Sequence, residues 1–457
     1  MTTFPLPTIQ RIAVIGAGPA GLVAAKQLLQ EQAFESVTIF ERNSAVGGTW
    51  IYSPKSNAPP PLPSDNAIKV DPPFQADRPP PPFERLHSAM HSSLHTNLPK
   101  NVMQYRDFDF EANTPVFPSH THVLAYLQRF AQTFDLAQHI RLDTHVVGAS
   151  YQARQWTLTL RTADNALYTE TFDALVVATG HYSIPYIPSF PNLQALGRHG
   201  VTWSHSREYR QPEAFKDKTV LVVGSGSSGL DIVREGSRVA KRVFHCVRSD
   251  NRQSVQEHAQ DRGNVQRVGL VDRILDNGHI QFVDGQAVQV DHVVFATGFL
   301  FSYPFLGKDE PGLVHHGESV RDLYQFLFHR HNPTLAFMAV PIRIVPLPLS
   351  QVQATVIARV WNPQQTHVHL PDWATMTRWY EQHPTDTHAS LVFDTDVEFN
   401  YVDRLACWAA GYDFDDAPQQ HAWRQLARTD PLTWPLSDNW KENRRNALAL
   451  RKQHLGY

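Results

Sequence analysis

Two short apolar runs recur along the chain in the same local setting. Ile12-Ala13-Val14-Ile15 runs straight into Gly16-Ala17-Gly18-Pro19-Ala20-Gly21, and Val220-Leu221-Val222-Val223 runs into Gly224-Ser225-Gly226-Ser227-Ser228-Gly229. A continuous apolar run bounded by glycine reads as a strand buried on both faces, and the residues after each turn have helical spacing. Val37-Thr38-Ile39-Phe40 supplies the next strand, so residues 11–50 predict a β-α-β unit. Residues 119–134 place Val123, Leu124, Leu127, Phe130, Ala131 and Phe134 on one helical face, with Ser119 positioned as the cap. Residues 144–175 alternate as strands do, as in Trp156-Thr157-Leu158-Thr159-Leu160.

A second pair of near copies follows. Asp173-Ala174-Leu175-Val176-Val177-Ala178-Thr179-Gly180 and Asp291-His292-Val293-Val294-Phe295-Ala296-Thr297-Gly298 are each a buried strand ending in small residues. The duplication predicts an α/β protein with two Rossmann-like dinucleotide-binding domains, one inserted in the other. Residues 1–183 and 299–457 form the outer domain, the latter part ending in helices, and residues 184–298 form the insert. The proline-dense segment 54–82 predicts an extended surface loop without helix or central strand.

The chemistry lies in the glycine turns. Strand–GxGxxG–helix lets backbone approach a pyrophosphate, which rests on the helix N-terminus. Glu41 stands twenty positions beyond Gly21, where a carboxylate accepts both ribose hydroxyls of an adenosine and repels a 2′-phosphate. The equivalent strand of the second unit, Val243 to Val247, ends in Arg248-Ser249, and a guanidinium there can clamp a 2′-phosphate. The first cradle therefore reads as an FAD site and the second as an NADPH site.

Composition narrows the partners. With 19% charged and 42% hydrophobic residues and a net charge of −3, nothing suggests nucleic acid or an anionic membrane surface. No apolar run is long enough to span a bilayer, and no signal-peptide pattern or membrane tail is seen. Two cysteines, Cys246 and Cys407, exclude a disulfide framework and fit a reducing, cytoplasmic setting. They also exclude the redox cysteine pair that a disulfide reductase of this layout needs, and Cys246 reads as a buried strand residue. The 24 histidines show no metal-ligand spacing, so no metal is expected. Oligomeric state is left open, a homodimer being one assembly the sequence permits.

Several further blocks resemble the flavin-containing monooxygenase family, and closest in appearance are its soluble fungal members. Glu41-Arg42-Asn43-Ser44-Ala45-Val46-Gly47-Gly48-Thr49-Trp50 is similar to the family's acid and Gly-Gly-x-Trp turn. Leu94-His95-Thr96-Asn97-Leu98-Pro99-Lys100, with Met103, Tyr105 and Asp107-Phe108, resembles its active-site segment, and Phe117-Pro118-Ser119-His120 the block that opens a helix. Ala296-Thr297-Gly298-Phe299 with Tyr303-Pro304-Phe305, and Val340-Pro341 through Gln351-Val352-Gln353-Ala354, match later blocks. The signature FxGxxxHxxxY is only half kept. His199 replaces its Phe, one extra residue separates Gly200 from His205, and the His205-to-Tyr209 half is intact.

The resemblance implies a cycle in which NADPH reduces FAD, oxygen adds at flavin carbon C4a as a hydroperoxide, and a soft nitrogen or sulfur nucleophile of a small molecule takes the distal oxygen. It makes Asn97 the key side chain, since an uncharged amide can donate toward the peroxide and accept from the nicotinamide ribose. It places Gly16, Gly18, Pro19, Ala20, Gly21, Glu41, Arg42, Gly48, Thr49, Trp50, His95, Thr96, Asn97, Thr179, Gly180 and Gln353 around FAD. His205, Ser206, Tyr209, Gly224 to Gly229, Arg248, Ser249, Thr297 and Gly298 are placed around NADP, with His205 and Tyr209 orienting NADP and the domain linker. Baeyer–Villiger oxygenation of a ketone is the alternative, disfavoured by Tyr209-Arg210. An NADPH oxidase or reductase is another, opposed by Asn97 and the Gly-Gly-Thr-Trp turn.

Overall fold

The protein is described by a computed structural model covering residues 4–73, 83–248, 263–307, 312–314, 316–425 and 431–456. The strand Arg11–Ile15 lies parallel between Ser36–Phe40 and Ala174–Val177, with Ile12 opposite Val37 on one side and Ala174 on the other. Ile140–Arg141 extends this sheet beyond Ser36–Phe40, and Leu335–Phe337 runs parallel on the far side of Ala174–Val177. The antiparallel strands Phe328–His329 and Leu323–Tyr324 complete seven. Their apolar runs are buried throughout because helices cover the sheet. One is Pro19–Gln30, which packs on Pro346–Trp361. Pro19 sits in its first turn, where a missing N–H costs nothing.

The second sheet repeats the plan. Val265–Val268, Arg242–Cys246, Thr219–Val223, His292–Phe295 and Thr202–His205 are all parallel, with the strand that enters the glycine turn again in the middle. Val220 faces His292 here as Ile12 faces Ala174 in the first sheet. The hydrophobic cores divide along the same line. Residues from 9–178 and 301–436 share one core, while residues from 187–296 build two others on either face of the second sheet. Where the chain passes between them, Ile184–Pro185 and Phe299–Leu300 pair antiparallel, so both crossings run side by side.

The alternating stretch forms an antiparallel meander of Thr144–Gln152, Gln155–Thr162 and Leu167–Phe172. Trp156 is wholly buried in it, and its indole N–H donates to Thr334 Oγ1 at 2.9 Å. The helix expected over 119–134 spans His120–Thr133. Ser119 is at its cap position, but its hydroxyl bonds Thr121 and His122 side chains and not the helix backbone.

The proline-dense segment departs from expectation. Ala67–Val70 forms one helical turn capped by the Asn66 side chain, in the proline-free gap between Pro63 and Pro72. Nor is the segment merely superficial. Ser64 is fully buried and pairs with Ile187 of the inserted domain, while Pro60 O accepts the Trp203 indole N–H. Residues 74–82 lie outside the described part. Among the described residues no helix is long and apolar enough to cross a membrane.

Among the described residues, burial lowers the pKa of five histidines most strongly. His145 and His205 are pushed down to about 3, and His181, His292 and His329 to about 4. Unfolded, they take up protons near their ordinary value of 6.5, so the unfolded chain binds more protons below that pH. Their contribution to stability is complete above about pH 6.5 and declines as pH falls toward 4. Thermal melts should therefore show a falling midpoint from pH 7 to pH 5; a flat midpoint over that range would contradict the burial of these groups.

Candidate functional site

The two cradles are built on the same contact. Gly16 and Gly224 have φ of +105° and +119°, a region open mainly to glycine. A Cβ on Gly16 would stand 2.7 Å from Ala178 O, and one on Gly224 2.3 Å from Ala296 O. The third glycine of each turn is tighter, since a Cβ on Gly21 would lie 1.8 Å from Gly16 O and one on Gly229 2.2 Å from Gly224 O. Each glycine turn is thus pressed against the end of its own Ala-Thr-Gly strand. Thr179, Gly180 and Gly298 are exposed on that edge, and Thr297 donates its hydroxyl to Tyr186 O.

The middle glycines differ. Gly18 is buried beneath the Gly47-Gly48 turn, where a Cβ on Gly48 would approach Gly18 Cα to 2.8 Å, and Gly47 N–H donates to Ala17 O at 3.0 Å. Thr49 and Trp50 continue this turn as a short 3₁₀ helix. Gly226 instead faces open space, and the hydroxyls of Ser225, Ser227 and Ser228 around it make no hydrogen bond among the described residues. An added Cβ there would meet only what the cradle binds.

Glu41 is buried, and its two oxygens accept the N–H groups of Ala17 and Asn43, each at 2.7 Å. A carboxylate has about four acceptor sites, so this holds it beside the cradle with lone pairs left for ribose hydroxyls. Arg42 makes no hydrogen bond among the described residues. Burial lowers its pKa, while Glu41 and Asp71 raise it. Arg248 is exposed at the end of its strand without an acidic partner among those residues, and Ser249 lies outside them.

Asn97 sits at the apex of a tight turn. Thr96 Oγ1 donates to Leu98 O at 2.8 Å, and His95 pairs with Ser119 through backbone bonds that link residues 94–96 to 118–120. Tyr105 OH ties the same segment to the first cradle by donating to Pro19 O at 2.7 Å. The Asn97 amide is exposed and makes no hydrogen bond among the described residues.

Three other expected residues are engaged within the protein. Gln353 Oε1 accepts Ala339 N–H at 2.8 Å, and its amide donates to Tyr401 OH at 3.1 Å, so its side chain holds the loop 339–345. Tyr209 OH donates to Glu235 at 2.7 Å, serving the linker and leaving nothing for a ligand to accept. His205 caps the turn Ser206–Glu208: Nδ1 accepts Arg207 N–H at 3.1 Å, and Glu208 accepts His205 N–H at 2.9 Å. Its Nε2 is buried without a well-formed bond, and burial, with Arg207 nearby, pushes its pKa down to about 3, so the imidazole is neutral at physiological pH. The spacing His205-x-x-Glu208 departs from the usual Ser/Thr-x-x-Glu capping box in its first residue, so the sequence does not mark it.

Glu398 was not foreseen at all. It is buried, accepts Val345 N–H at the start of helix Pro346–Trp361, and takes Arg444 Nε at 3.0 Å, while Arg444 also donates to Arg343 O at 2.9 Å. Together with the Gln353 bond to Ala339, these bonds hold a loop in which Ala339 and Arg343 have φ of +55° and +64°. No local motif marks a carboxylate that works 53 residues from its partner.

Two glycine cradles, one with a buried acid and one with a free arginine, and no cysteine pair define an oxidoreductase that uses two dinucleotides. Comparison with known proteins agrees. Residues 83–276 match the flavin-binding monooxygenase-like family and residues 14–76 the NAD(P)-binding Rossmann-like domain. The chain is 35% identical to flavin-containing monooxygenase FMO GS-OX-like 2 of Arabidopsis thaliana, over 97% of this chain and 94% of that protein. It is 34% identical to FMO GS-OX5 of the same plant, over 78% and 74%. The structure of S-allyl-L-cysteine S-oxygenase from Allium sativum superposes with a TM-score of 0.74 at 28% identity, covering 98% of this chain and all of that one. Cyclohexanone monooxygenase shares the fold at 15% identity, with a TM-score of 0.56 over 88% of this chain and 98% of that one. The chain belongs to the flavin-containing monooxygenase family and is a flavin-dependent monooxygenase with an NAD(P)-binding Rossmann-like domain.

Gly229→Ala and Gly226→Ala separate packing from ligand approach. Gly229→Ala should lower the melting temperature and abolish nicotinamide dinucleotide binding, because its Cβ collides with backbone. Gly226→Ala should melt as the intact protein does yet bind the dinucleotide at least about tenfold more weakly. Unchanged affinity in Gly226→Ala, by titration, would mean that no phosphate approaches that turn.

Proposed function

We propose that the first cradle holds FAD, the second holds NADPH, and the protein oxygenates the sulfur or nitrogen of a small molecule. The domains then divide as 1–183 with 299–457 around FAD and 184–298 around NADPH, a partition supported by the separate cores. The observation that carries the reading is the exposed Asn97 amide, without a hydrogen bond among the described residues, on a segment whose Tyr105 bonds Pro19 of the first cradle. Bound FAD, once reduced by NADPH, supplies the oxygen-activating chemistry. The protein's part is to bind, orient and keep water away. Glu41 accepts the adenosine ribose, Arg248 clamps the 2′-phosphate, and Asn97 donates toward the oxygen that is transferred. The absence of charge on Asn97 matters, since a carboxylate there would repel an oxygen gaining negative charge.

Sulfur is favoured by the S-oxygenase likeness across nearly the whole chain. S-allyl-L-cysteine is therefore the first thioether to try, with a tertiary amine beside it. Two buried free cysteines fit a reducing cytoplasm.

Asn97→Ala should keep FAD and its reduction by NADPH, while product per NADPH falls at least about tenfold and hydrogen peroxide rises to match. Unchanged coupling would remove Asn97 from the reaction. Arg248→Ala should raise the NADPH KM about tenfold or more and leave the NADH KM nearly unchanged. Equal rises for both would show that no 2′-phosphate lies there.

A further inference from the structure

The helix Ser227–Gly236 begins at the second cradle, and its other end enters a buried polar knot. Glu235, 4% exposed, accepts hydrogen bonds from Ser93, Tyr209 and Arg234 there. Ser93 Oγ donates to Oε1 at 2.5 Å, and Tyr209 OH donates to Oε2 at 2.7 Å. Arg234 spans Glu235 at 3.2 Å and Asp231 at 2.7 Å. Arg451, from the C-terminal helix Ala447–Leu455, approaches Asp231 at 3.5 Å. His91 fills the remaining side. Its Nδ1 lies 3.1 Å from Ser93 Oγ, its ring nitrogens lie 3.9 Å from Asp231 and Glu235, and its ring packs on Tyr209. Burial alone would raise the pKa of Asp231, but the neighbouring His91 and the two arginines bring it below the usual carboxylate value, so Asp231 keeps its charge.

Ser93 lies four residues before Asn97. The next contacts reinforce the same join, because Ser92 N–H and Oγ both donate to Arg210 O, at 3.0 and 3.1 Å, and Arg210 Nη2 donates to Ser88 O at 2.9 Å. The cradle end of the helix and the Asn97 segment are thus connected through one rigid rod and one shared carboxylate. A helix rising 1.5 Å per residue carries Glu235 about 13 Å from Gly226.

We propose that the Ser93–Glu235–Tyr209 relay, braced by Asp231, Arg234, Arg451 and His91, is the positioning contact that couples occupancy of the second cradle to the placement of Asn97. The proposal rests on the assignment of NADPH to that cradle. Anchoring the far end of the helix means that a ligand ordering its N-terminus also orders the segment bonded to Glu235. Neither Ser93 nor Glu235 touches substrate; both act through Asn97.

Hydrogen exchange on the full, FAD-loaded chain, with and without NADP⁺, reads this coupling without turnover. In the intact protein NADP⁺ should slow exchange in residues 227–236 and also in 91–97. In Ser93→Ala, an exposed position whose truncation spares the core, NADP⁺ should still protect 227–236 with a Kd within about twofold of the original, while protection of 91–97 is lost. Tyr209→Phe should behave alike, and both should release more peroxide per NADPH. Protection of 91–97 that survives in both variants would overturn the relay. A lack of NADP⁺ protection at 227–236 in the intact protein would instead overturn the cofactor assignment, and the relay with it, so the two failures are told apart.

Discussion

Everything functional in this molecule hangs on a van der Waals contact repeated twice: a glycine turn lying against the small-residue end of the neighbouring strand, with no room for a Cβ. Gly16 and Gly21 meet Ala178 in one sheet, and Gly224 and Gly229 meet Ala296 in the other. The contact sets the helix N-terminus at the carboxyl edge of the parallel strands, where ligands bind in open α/β sheets. Because the turn and the strand end belong to distant parts of the chain, it also fixes where the chain can leave each domain. Both crossings, at Ile184–Pro185 and Phe299–Leu300, start just beyond these strand ends.

A two-cofactor oxygenase must solve a positional problem that neither domain solves alone. On the proposed assignment, reducing equivalents arrive on one domain, oxygen transfer happens at the other, and water must stay out of the seam between them. The seam is correspondingly dense in buried polar bonds. Arg207 reaches Glu208, Ser183 O and Ala58 O, while Arg210 reaches Lys55 O and Ser88 O. Charge-assisted bonds of this kind are directional, so they fix register and not merely proximity. The residues that the family signature shares, His205 and Tyr209, serve this seam as a turn cap and as a hydroxyl that donates to Glu235.

Much of the fold was legible because its signals are local. Buried parallel strands read as apolar runs, glycine turns mark their ends, and the repeated Ala-Thr-Gly ending exposed the duplication. Glu41 is marked by its offset from the first glycine turn, whereas Asn97 is singled out only by the resemblance of its segment to a known family. Glu235 and Glu398 carry neither mark. Each is a buried acid whose partners lie 142 residues away for Ser93 and 53 for Val345, and a lone glutamate in a helical pattern looks like solvated surface. The helical turn at Ala67–Val70 is hidden in the sequence by the prolines on either side, although the eight residues between Pro63 and Pro72 contain none. The C-terminal helices carry no motif, yet Arg444 and Arg451 from them brace the loop before Pro346–Trp361 and the helix of the second cradle.

The account stands or falls on whether oxygen from the gas enters a soft nucleophile at the expense of NADPH. The direct measurement is turnover of the FAD-loaded protein with NADPH and a thioether under isotopically labelled oxygen gas, followed by mass spectrometry of the product. The account predicts one labelled oxygen atom in each sulfoxide formed and one NADPH consumed for each. NADPH consumption matched by hydrogen peroxide, with the thioether recovered unchanged across a range of sulfur and nitrogen compounds, would contradict it.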